Sequence, residues 1–71
     1  MKLHYYPETD SLYIELKTDA GVEVREIAEG LNADIGADGS VVGLDIDHAS
    51  AKLDLSTLET DGLPIAKLKA A

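Results

Sequence analysis

An Asp-Gly dipeptide at residues 38–39 lies between two segments in which apolar residues alternate with polar or small ones. Asp-Gly is among the commonest two-residue hairpin loops, because both positions of a type I′ turn need a positive φ. Folding the chain there pairs Ile35 with Val42. It also brings six apolar side chains to one face, namely Leu31, Ala33, Ile35, Val42, Leu44 and Ile46. The pattern therefore predicts a β-hairpin over about residues 31–48.

The opposite face of this hairpin is polar. The same register sets Asn32 opposite Asp45, and Asp34 opposite Gly43. A glycine inside a strand often marks a bulge or a close approach to the backbone. We therefore expect Gly43 to be such a position.

A first hairpin is predicted over about residues 2–17, with its turn at residues 7–10, Pro-Glu-Thr-Asp. Proline fixes φ in turns, and both flanking segments alternate with a period of two. The two alternations agree in one register, which gives four cross-strand pairs: Leu3–Ile14 and Tyr5–Leu12 on the inward face, Lys2–Glu15 and His4–Tyr13 on the outward face. A slip of one residue would invert a whole strand, so this agreement favours the register.

A middle strand is expected between the hairpins, at about Val22 to Ile27. Ile27 falls on the opposite parity from Val22 and Val24, which indicates a bend or bulge near Glu26. We expect Gly30 to turn the chain into the next strand.

After His48 the periodicity changes to that of a helix. Ser50 is a suitable N-cap, and Ala51, Leu55 and Leu58 form one apolar stripe. Gly62 and the proline that follows it would end the helix, which gives a short helix over about residues 51–60. Beyond it, residues 63–71 are expected to form a loosely packed tail.

These elements predict one small domain, residues 1–71, of the α+β class. Its antiparallel sheet would have four to five strands, built from two hairpins and the middle strand, with one helix on a face. So short a helix covers little of such a sheet. The uncovered apolar area leads us to expect self-association, most simply as a homodimer.

Charge restricts the possible partners. Fourteen Asp and Glu residues against six Lys and Arg give a net charge of −8. Nucleic acids and anionic membranes both attract basic proteins, so neither is an expected partner. A small basic protein is an expected partner, because eight of the acidic residues and only one basic residue lie between Glu29 and Asp61. The chain has no Cys and no continuous apolar segment typical of a secretory signal, so we expect a cytoplasmic location.

Two motifs resemble a known family. Residues 5–14 read Tyr-Tyr-Pro-Glu-Thr-Asp-Ser-Leu-Tyr-Ile, and residues 38–50 combine an Asp-Gly turn, Val-Val-Gly, an acidic residue between two aliphatics, and Ala-Ser. Over about residues 3–52 the chain resembles the small domain-of-unknown-function family numbered 2283. It departs from the family pattern at Tyr6, where Asp is usual, and at Asp45, where Glu is commoner. The resemblance implies a β-rich cytoplasmic protein, usually bacterial or archaeal, with no established activity and no catalytic residues. Some members look like antitoxins of two-gene toxin–antitoxin units.

Metal binding is an alternative that the acidic second hairpin raises. Asp34, Asp38 and Asp45 fall at positions 1, 5 and 12 of an EF-hand-like spacing, but position 3 is a glycine and the flanks are strands. Asp45, Asp47 and His48 are also close in sequence, although a strand would point His48 to the other face. The alternative function is therefore a metal- or small-ligand-binding domain that uses this hairpin.

Catalysis has little support in the sequence. A nucleophile would have to be one of a few serines, with His4 and His48 as the only bases, and no glycine-rich phosphate loop opens a helix. We therefore predict no enzyme activity and no cofactor. The residues expected at an interaction surface are Tyr6, Tyr13, Asp45 and Asp47, because tyrosine combines apolar area with a polar tip and the two carboxylates share a face.

Overall fold

The structure, a computed structural model, describes residues 1–70 as five β-strands followed by one short helix. The elements are β1 (Lys2–Tyr6), β2 (Ser11–Glu15), β3 (Gly21–Ala28), β4 (Leu31–Gly36), β5 (Val41–Ile46) and α1 (Ala49–Lys52). All strand pairs are antiparallel, and the strands form a single sheet in the order β1-β2-β5-β4-β3. The predicted α+β class and the antiparallel sheet are confirmed.

The strand order is that of a Greek key, in which β3, β4 and β5 follow one another as neighbours and β5 returns to lie beside β2. Residues 16–20 connect β2 to β3 and so cross the end of the sheet past β5 and β4. The backbone N–H groups of Leu16 and Lys17 both donate to the carbonyl oxygen of Val42, at 2.9 and 3.2 Å. This crossing segment is therefore anchored to the start of β5.

The register of the first hairpin is confirmed at every predicted pair. Strand β1 pairs with β2 as Lys2–Glu15, Leu3–Ile14, His4–Tyr13 and Tyr5–Leu12. The turn between them is closed by weak backbone bonds, from Thr9 to Tyr6 at 3.3 Å and from Asp10 to Pro7 at 3.4 Å.

The second hairpin has the predicted pairs away from its turn but a different loop. Leu31–Ile46, Asn32–Asp45, Ala33–Leu44 and Asp34–Gly43 are all paired as expected. The loop, however, has three residues, 37–39, because Gly36 N–H donates to the carbonyl oxygen of Ser40 at 2.8 Å. The prediction of a two-residue loop with two positive φ angles is therefore wrong. Gly39 alone has a positive φ, 86°, as expected where a type I turn ends in a left-handed residue.

A β-bulge at Val42 overturns one predicted pair and one predicted orientation. Ile35 lies opposite Val41 instead of Val42, and the register shifts between Asp34 and Ile35. A Cβ at Gly36 would lie 2.9 Å from Val42 Cγ1, so the two positions share a side of the sheet. That side also carries Asp34, two residues from Gly36. Val42 thus leaves the apolar face because a bulge places two successive residues opposite one.

Strand β3 is irregular at the position where its sequence predicts a bend or bulge. The pairing with β4 shifts between Glu26 and Ala28, which confirms the expected bulge near Glu26, and shifts again between Gly21 and Glu23. Gly30 has a φ of 73° and turns the chain from β3 into β4, also as expected.

The helix is shorter than predicted and begins earlier. It spans Ala49–Lys52 and not residues 51–60, and His48, with a φ of 51°, takes the N-cap position expected for Ser50. Leu53 is already extended, and the next turn is held by Asp54 Oδ1, which accepts the backbone N–H of Ser56 at 3.0 Å. Such local side-chain bonds compete with helical ones, so the apolar stripe does not extend the helix.

Asp10, in the turn of the first hairpin, caps the start of α1. Its backbone carbonyl accepts the N–H of Ala49 at 2.9 Å, and its Oδ1 accepts the N–H of Ser50 at 3.1 Å. Its Oδ2 accepts the Ser50 hydroxyl at 2.7 Å, and Oδ1 also accepts the Tyr5 hydroxyl at 2.7 Å. The bonds from Ser50 and Tyr5 hold the pKa of Asp10 below its usual value. The first hairpin and the helix are thereby joined at one carboxylate.

The core is small. Among residues 1–70, five apolar residues are buried, Leu12, Ala33, Ile35, Val42 and Ala49. By contrast, every position of β1 and β3 and every residue from Ser50 to Ala70 is exposed. The last residue of the predicted tail, Ala71, lies outside the described residues. No helix among residues 1–70 has the length and apolar character needed to cross a membrane.

The left-handed loop residue gives a direct test of the second hairpin. Gly39→Val is expected to lower the free energy of unfolding by about 1–3 kcal/mol, because its φ of 86° excludes a β-branched side chain. No atom lies within 4 Å of a Cβ at this position, so crowding does not contribute. Urea unfolding measures the change, with Gly39→Asn as the control, since Asn tolerates this conformation. Equal stabilities of the two variants would contradict the loop geometry.

Candidate functional site

The polar side of the sheet carries one continuous row of side chains across all five strands. Each member lies directly opposite the next in the strand pairing, and the row runs His4, Tyr13, Asp45, Asn32, Glu26. A second row beside it runs Lys2, Glu15, Gly43, Asp34, Val24. We call the side of the sheet that carries these two rows the polar face.

Tyr13 lies at the centre of the polar face and spans two strands. Its ring passes over Gly43 of β5, and its hydroxyl donates to Asp34 Oδ2 of β4 at 2.6 Å. A Cβ at Gly43 would lie 2.6 Å from the ring carbon Cζ and 3.2 Å from Cε1, so no other residue leaves room for the ring. The expected close approach at Gly43 is thus made by a tyrosine that links β2 to β4.

The Tyr13 hydroxyl is held in its protonated form. The hydrogen bond to Asp34, followed by burial and by the charges of Asp34, Glu15 and Asp45, raises the pKa of Tyr13 to about 12. A phenol with this pKa donates a hydrogen bond at neutral pH and does not act as a base. Tyr13 therefore orients Asp34 on the face.

Asp45 stands between Tyr13 and Asn32 in the row. Partial burial raises the pKa of Asp45, and the charges of Asp47 and Asp34 raise it further. Asp47 follows the end of β5, where its backbone N–H donates to the Gly30 carbonyl at 2.8 Å. The carboxylates of Asp47 and Asp34 thus lie close enough to Asp45 to disfavour its charged form.

Tyr6 lies at the margin of the polar face. Its ring packs against that of His4, with 4.3 Å between centroids and 46° between planes, and His4 lies opposite Tyr13. A shallow depression of about 140 Å³ lies beside them, lined by Lys2, His4, Tyr6, Tyr13 and Glu15. This volume is below the ~300–1,000 Å³ of typical small-molecule sites.

The four residues predicted at an interaction surface occupy connected positions. Tyr13 and Asp45 are direct cross-strand partners, Asp47 is close enough to shift the pKa of Asp45, and His4 separates Tyr6 from Tyr13. Sequence reasoning missed three further carboxylates of this face, those of Glu15, Glu26 and Asp34. Asp34 was detectable from its predicted position opposite Gly43, but its bond to Tyr13 required the strand order.

Few cations face these carboxylates among residues 1–70. The ion pair found there is Arg25–Glu23 on β3. The strands of the polar face carry one lysine, Lys2, and Lys52 of α1 lies beside Asp47 in a second depression. The same described residues hold no group of three or more His, Asp or Glu arranged to hold a metal ion. In particular, Asp38 binds Ser40 within its own turn while Asp34 binds Tyr13, so the EF-hand-like spacing does not bring them together.

Comparison with known families identifies the chain. The sequence model of a family described as a protein of unknown function, DUF2283, matches residues 2–50, which is more than half of the 71 residues. The chain belongs to the DUF2283 family. No curated protein and no solved structure matches it. The match covers all five strands, so the DUF2283 segment includes the whole polar face.

Gly43→Ala tests the contact under Tyr13 in this DUF2283 sheet. The added methyl group would meet the phenol ring and force it away from Asp34. We expect a loss of about 1–3 kcal/mol in the free energy of unfolding, typical of overpacking. In a Tyr13→Ala background the same change is expected to cost much less, because the ring is gone. Equal costs in both backgrounds would contradict the contact.

The pKa of Tyr13 predicts an alkaline transition. Since the folded pKa of about 12 exceeds the ordinary tyrosine pKa of 10.0, the stability that this bond contributes is fully present below pH 10 and is lost as the pH rises towards 12. Ultraviolet titration should show one phenol ionising near pH 12, absent in Tyr13→Phe. Asp34→Asn should lower that pKa. An unchanged titration in Tyr13→Phe would assign the shift to another tyrosine.

Proposed function

We propose that this chain is a non-enzymatic interaction module that self-associates and binds a small basic protein through its polar face. The observation that carries the proposal is a set of five carboxylates on one side of the sheet, against Lys2 on its strands and Lys52 beside Asp47 at its margin. They belong to Glu15, Glu26, Asp34, Asp45 and Asp47. Partial burial raises the pKa of Asp45 most, and a cationic partner would relieve the repulsion from Asp47 and Asp34 that raises it further.

The form of the face supports a protein partner over a small molecule. Its rows cross five strands, and its depression beside Tyr6 is shallow. Tyr6 and Tyr13 supply aromatic area among the carboxylates, a composition typical of protein interfaces. Tyr13 is preorganised by its bond to Asp34, so binding would cost little ordering of that side chain.

Self-association is supported by the thinness of the fold. Domains are normally built from two packed layers, but here a five-stranded sheet is followed by a four-residue helix of which only Ala49 is buried. Leu3 and Tyr5 on β1 remain 44% and 41% exposed although they point to the apolar side. A second copy of the chain would cover such area.

The proposal extends to an antitoxin-like role in a bacterial cytoplasm. Its support is the family resemblance, the absence of Cys and the acidic composition. An acidic module that neutralises a small basic protein needs surface complementarity and no catalytic group.

A short lysine- and arginine-rich peptide is the probe for the polar face. Asp45→Asn with Asp47→Asn is expected to weaken its binding about tenfold, or ~1.4 kcal/mol, by calorimetry at low salt. The double variant should not be less stable at neutral pH. Since the folded pKa of Asp45 is raised, its contribution to stability is present below the unfolded pKa of 3.8 and lost at higher pH, so Asn removes an unfavourable charge.

Asp19→Asn with Asp61→Asn is the matched control, because it removes two charges outside the strands. The control should retain most of the affinity, and salt should weaken binding of every variant. Equal binding by the two double variants would show that net charge, and not the polar face, attracts the peptide. Absence of binding to the wild type would remove the basic partner from the proposal.

A further inference from the structure

Strand β3 leaves one whole edge of its backbone without a neighbour. It lies at the end of the sheet, pairs only with β4, and is exposed at all eight positions. The other edge strand, β1, has five residues and is followed by Pro7. An edge of this length offers N–H and C=O groups to another strand, so its side chains decide which strand can pair there.

From Glu23 to Arg25 the side chains of β3 are arranged in the reverse of the rest of the sheet, whereas Glu26 lies on the polar face. Glu23 lies opposite Ile35, and Arg25 lies opposite Ala33. Because Ile35 and Ala33 are buried on the apolar side, the two charged side chains point to that side as well. Val24 lies opposite Asp34 on the polar face and is 68% exposed. Charges on the inner side of an edge strand prevent indiscriminate pairing, but they also permit a pairing in which they meet opposite charges.

Symmetry limits the ways in which two copies of β3 can pair. In an antiparallel pair about a twofold axis normal to the sheet, residues of the same face lie opposite each other. A register centred on Glu23 sets glutamate against glutamate, and one centred on Arg25 sets arginine against arginine. The register centred on Val24 sets each Glu23 opposite Arg25 of the second copy. Only this one of the three is complementary in charge.

We propose that β3 is the self-association site, pairing antiparallel with β3 of a second copy in the register centred on Val24. This inference rests on the self-association in the proposed function and specifies its surface. It joins two five-stranded sheets into one of ten strands. Glu23 and Arg25 of both copies then form a cluster of two cross-strand charge pairs, each of a glutamate with an arginine, and the two Val24 side chains meet on the polar face.

The ion pair of Glu23 and Arg25 within one chain leaves side-chain atoms available for the cross-strand charge pairs. Arg25 Nε and Nη2 both donate to Glu23 Oε2, at 3.2 and 2.8 Å. Glu23 Oε1 and Arg25 Nη1 have no partner among residues 1–70. The pair is therefore held in an orientation from which each member can bind its opposite in the second copy.

The irregularities of β3 define the length of the paired segment. The register with β4 shifts between Gly21 and Glu23 and again between Glu26 and Ala28, so the regular part runs from Glu23 to Glu26. Val24 lies within it. Bulges at both ends prevent the pairing from sliding or from extending into a fibre-like edge contact.

Single cysteines test the register, because the chain has no Cys of its own. Across an antiparallel pair the two Val24 Cα atoms would be about 4.5–5.5 Å apart, within the range of a disulfide. Val24→Cys should form a covalent dimer under mild oxidation. Val22→Cys is the matched control, since Val22 is 69% exposed on the same strand. In this register its two copies are about 13 Å apart, so it should stay monomeric on denaturing gels.

Charge reversal tests the complementarity by sedimentation velocity. Arg25→Glu and Glu23→Arg should each raise the dimer dissociation constant at least about tenfold, because like charges then face each other. An equimolar mixture of the two variants should regain the dimer, since Glu meets Arg again at both positions. Lys67→Glu, in the exposed C-terminal segment, changes the charge equally and should leave the dimer unchanged. Regain of the dimer on mixing also shows that both variants are folded.

The outcomes separate the two levels of the proposal. A wild type that is monomeric at high micromolar concentration would overturn both self-association and the β3 register. A wild-type dimer that survives both charge reversals, or in which Val22→Cys cross-links as fast as Val24→Cys, would overturn the β3 register while self-association through another surface stands. Selective cross-linking together with regain on mixing would establish the register.

Discussion

The pairing of β2 with β5 is the contact on which the sheet depends. Every other strand pair joins neighbours in the sequence, whereas Leu12–Ile46 and Ile14–Leu44 join residues thirty or more positions apart. Without this pairing the chain would be a two-stranded hairpin and a separate three-stranded meander. Isolated hairpins are marginally stable in water, so the first two strands need β5 beside them.

Two further contacts reinforce that join. On the polar face, Tyr13 reaches over Gly43 to Asp34 and so ties β2, β5 and β4 together. At the end of the sheet, Asp10 receives the first backbone N–H groups of α1. The first contact links the first hairpin to the second, and the other links it to the helix that follows. They compensate for a core in which no large side chain is fully buried among the described residues.

The local part of this fold could be predicted from the sequence, and the non-local part could not. Alternation of period two determines the register of β1 with β2, because any slip would bury polar side chains. The bulge at Val42 is a backbone irregularity that alternation does not encode, so alternation places Val42 on the wrong face. The apolar stripe predicts too long a helix because it continues past the point where Asp54 forms a local turn.

The polar face shows the same division between local and non-local information. Tyr13 and Asp45 each fall on the outward side of a predicted hairpin, which single-hairpin reasoning detects. Their direct pairing, and the reach of Tyr13 to Asp34, follow from β2 lying beside β5. The first hairpin supplies Tyr13 and the second supplies Asp45. The strand order is needed to bring these two parts of the polar face together.

The length of the crossing segment, residues 16–20, limits how far β3 can lie from β2 in the Greek key. Three strand spacings separate β2 from β3, about 14 Å, and six Cα steps span at most about 20 Å. Part of this length is already committed, because Leu16 and Lys17 are anchored to Val42. Added residues would cost only a little chain entropy. Deletions in this segment would prevent β3 from reaching its position at the edge of the sheet. Insertions should therefore be tolerated in this connection far better than deletions.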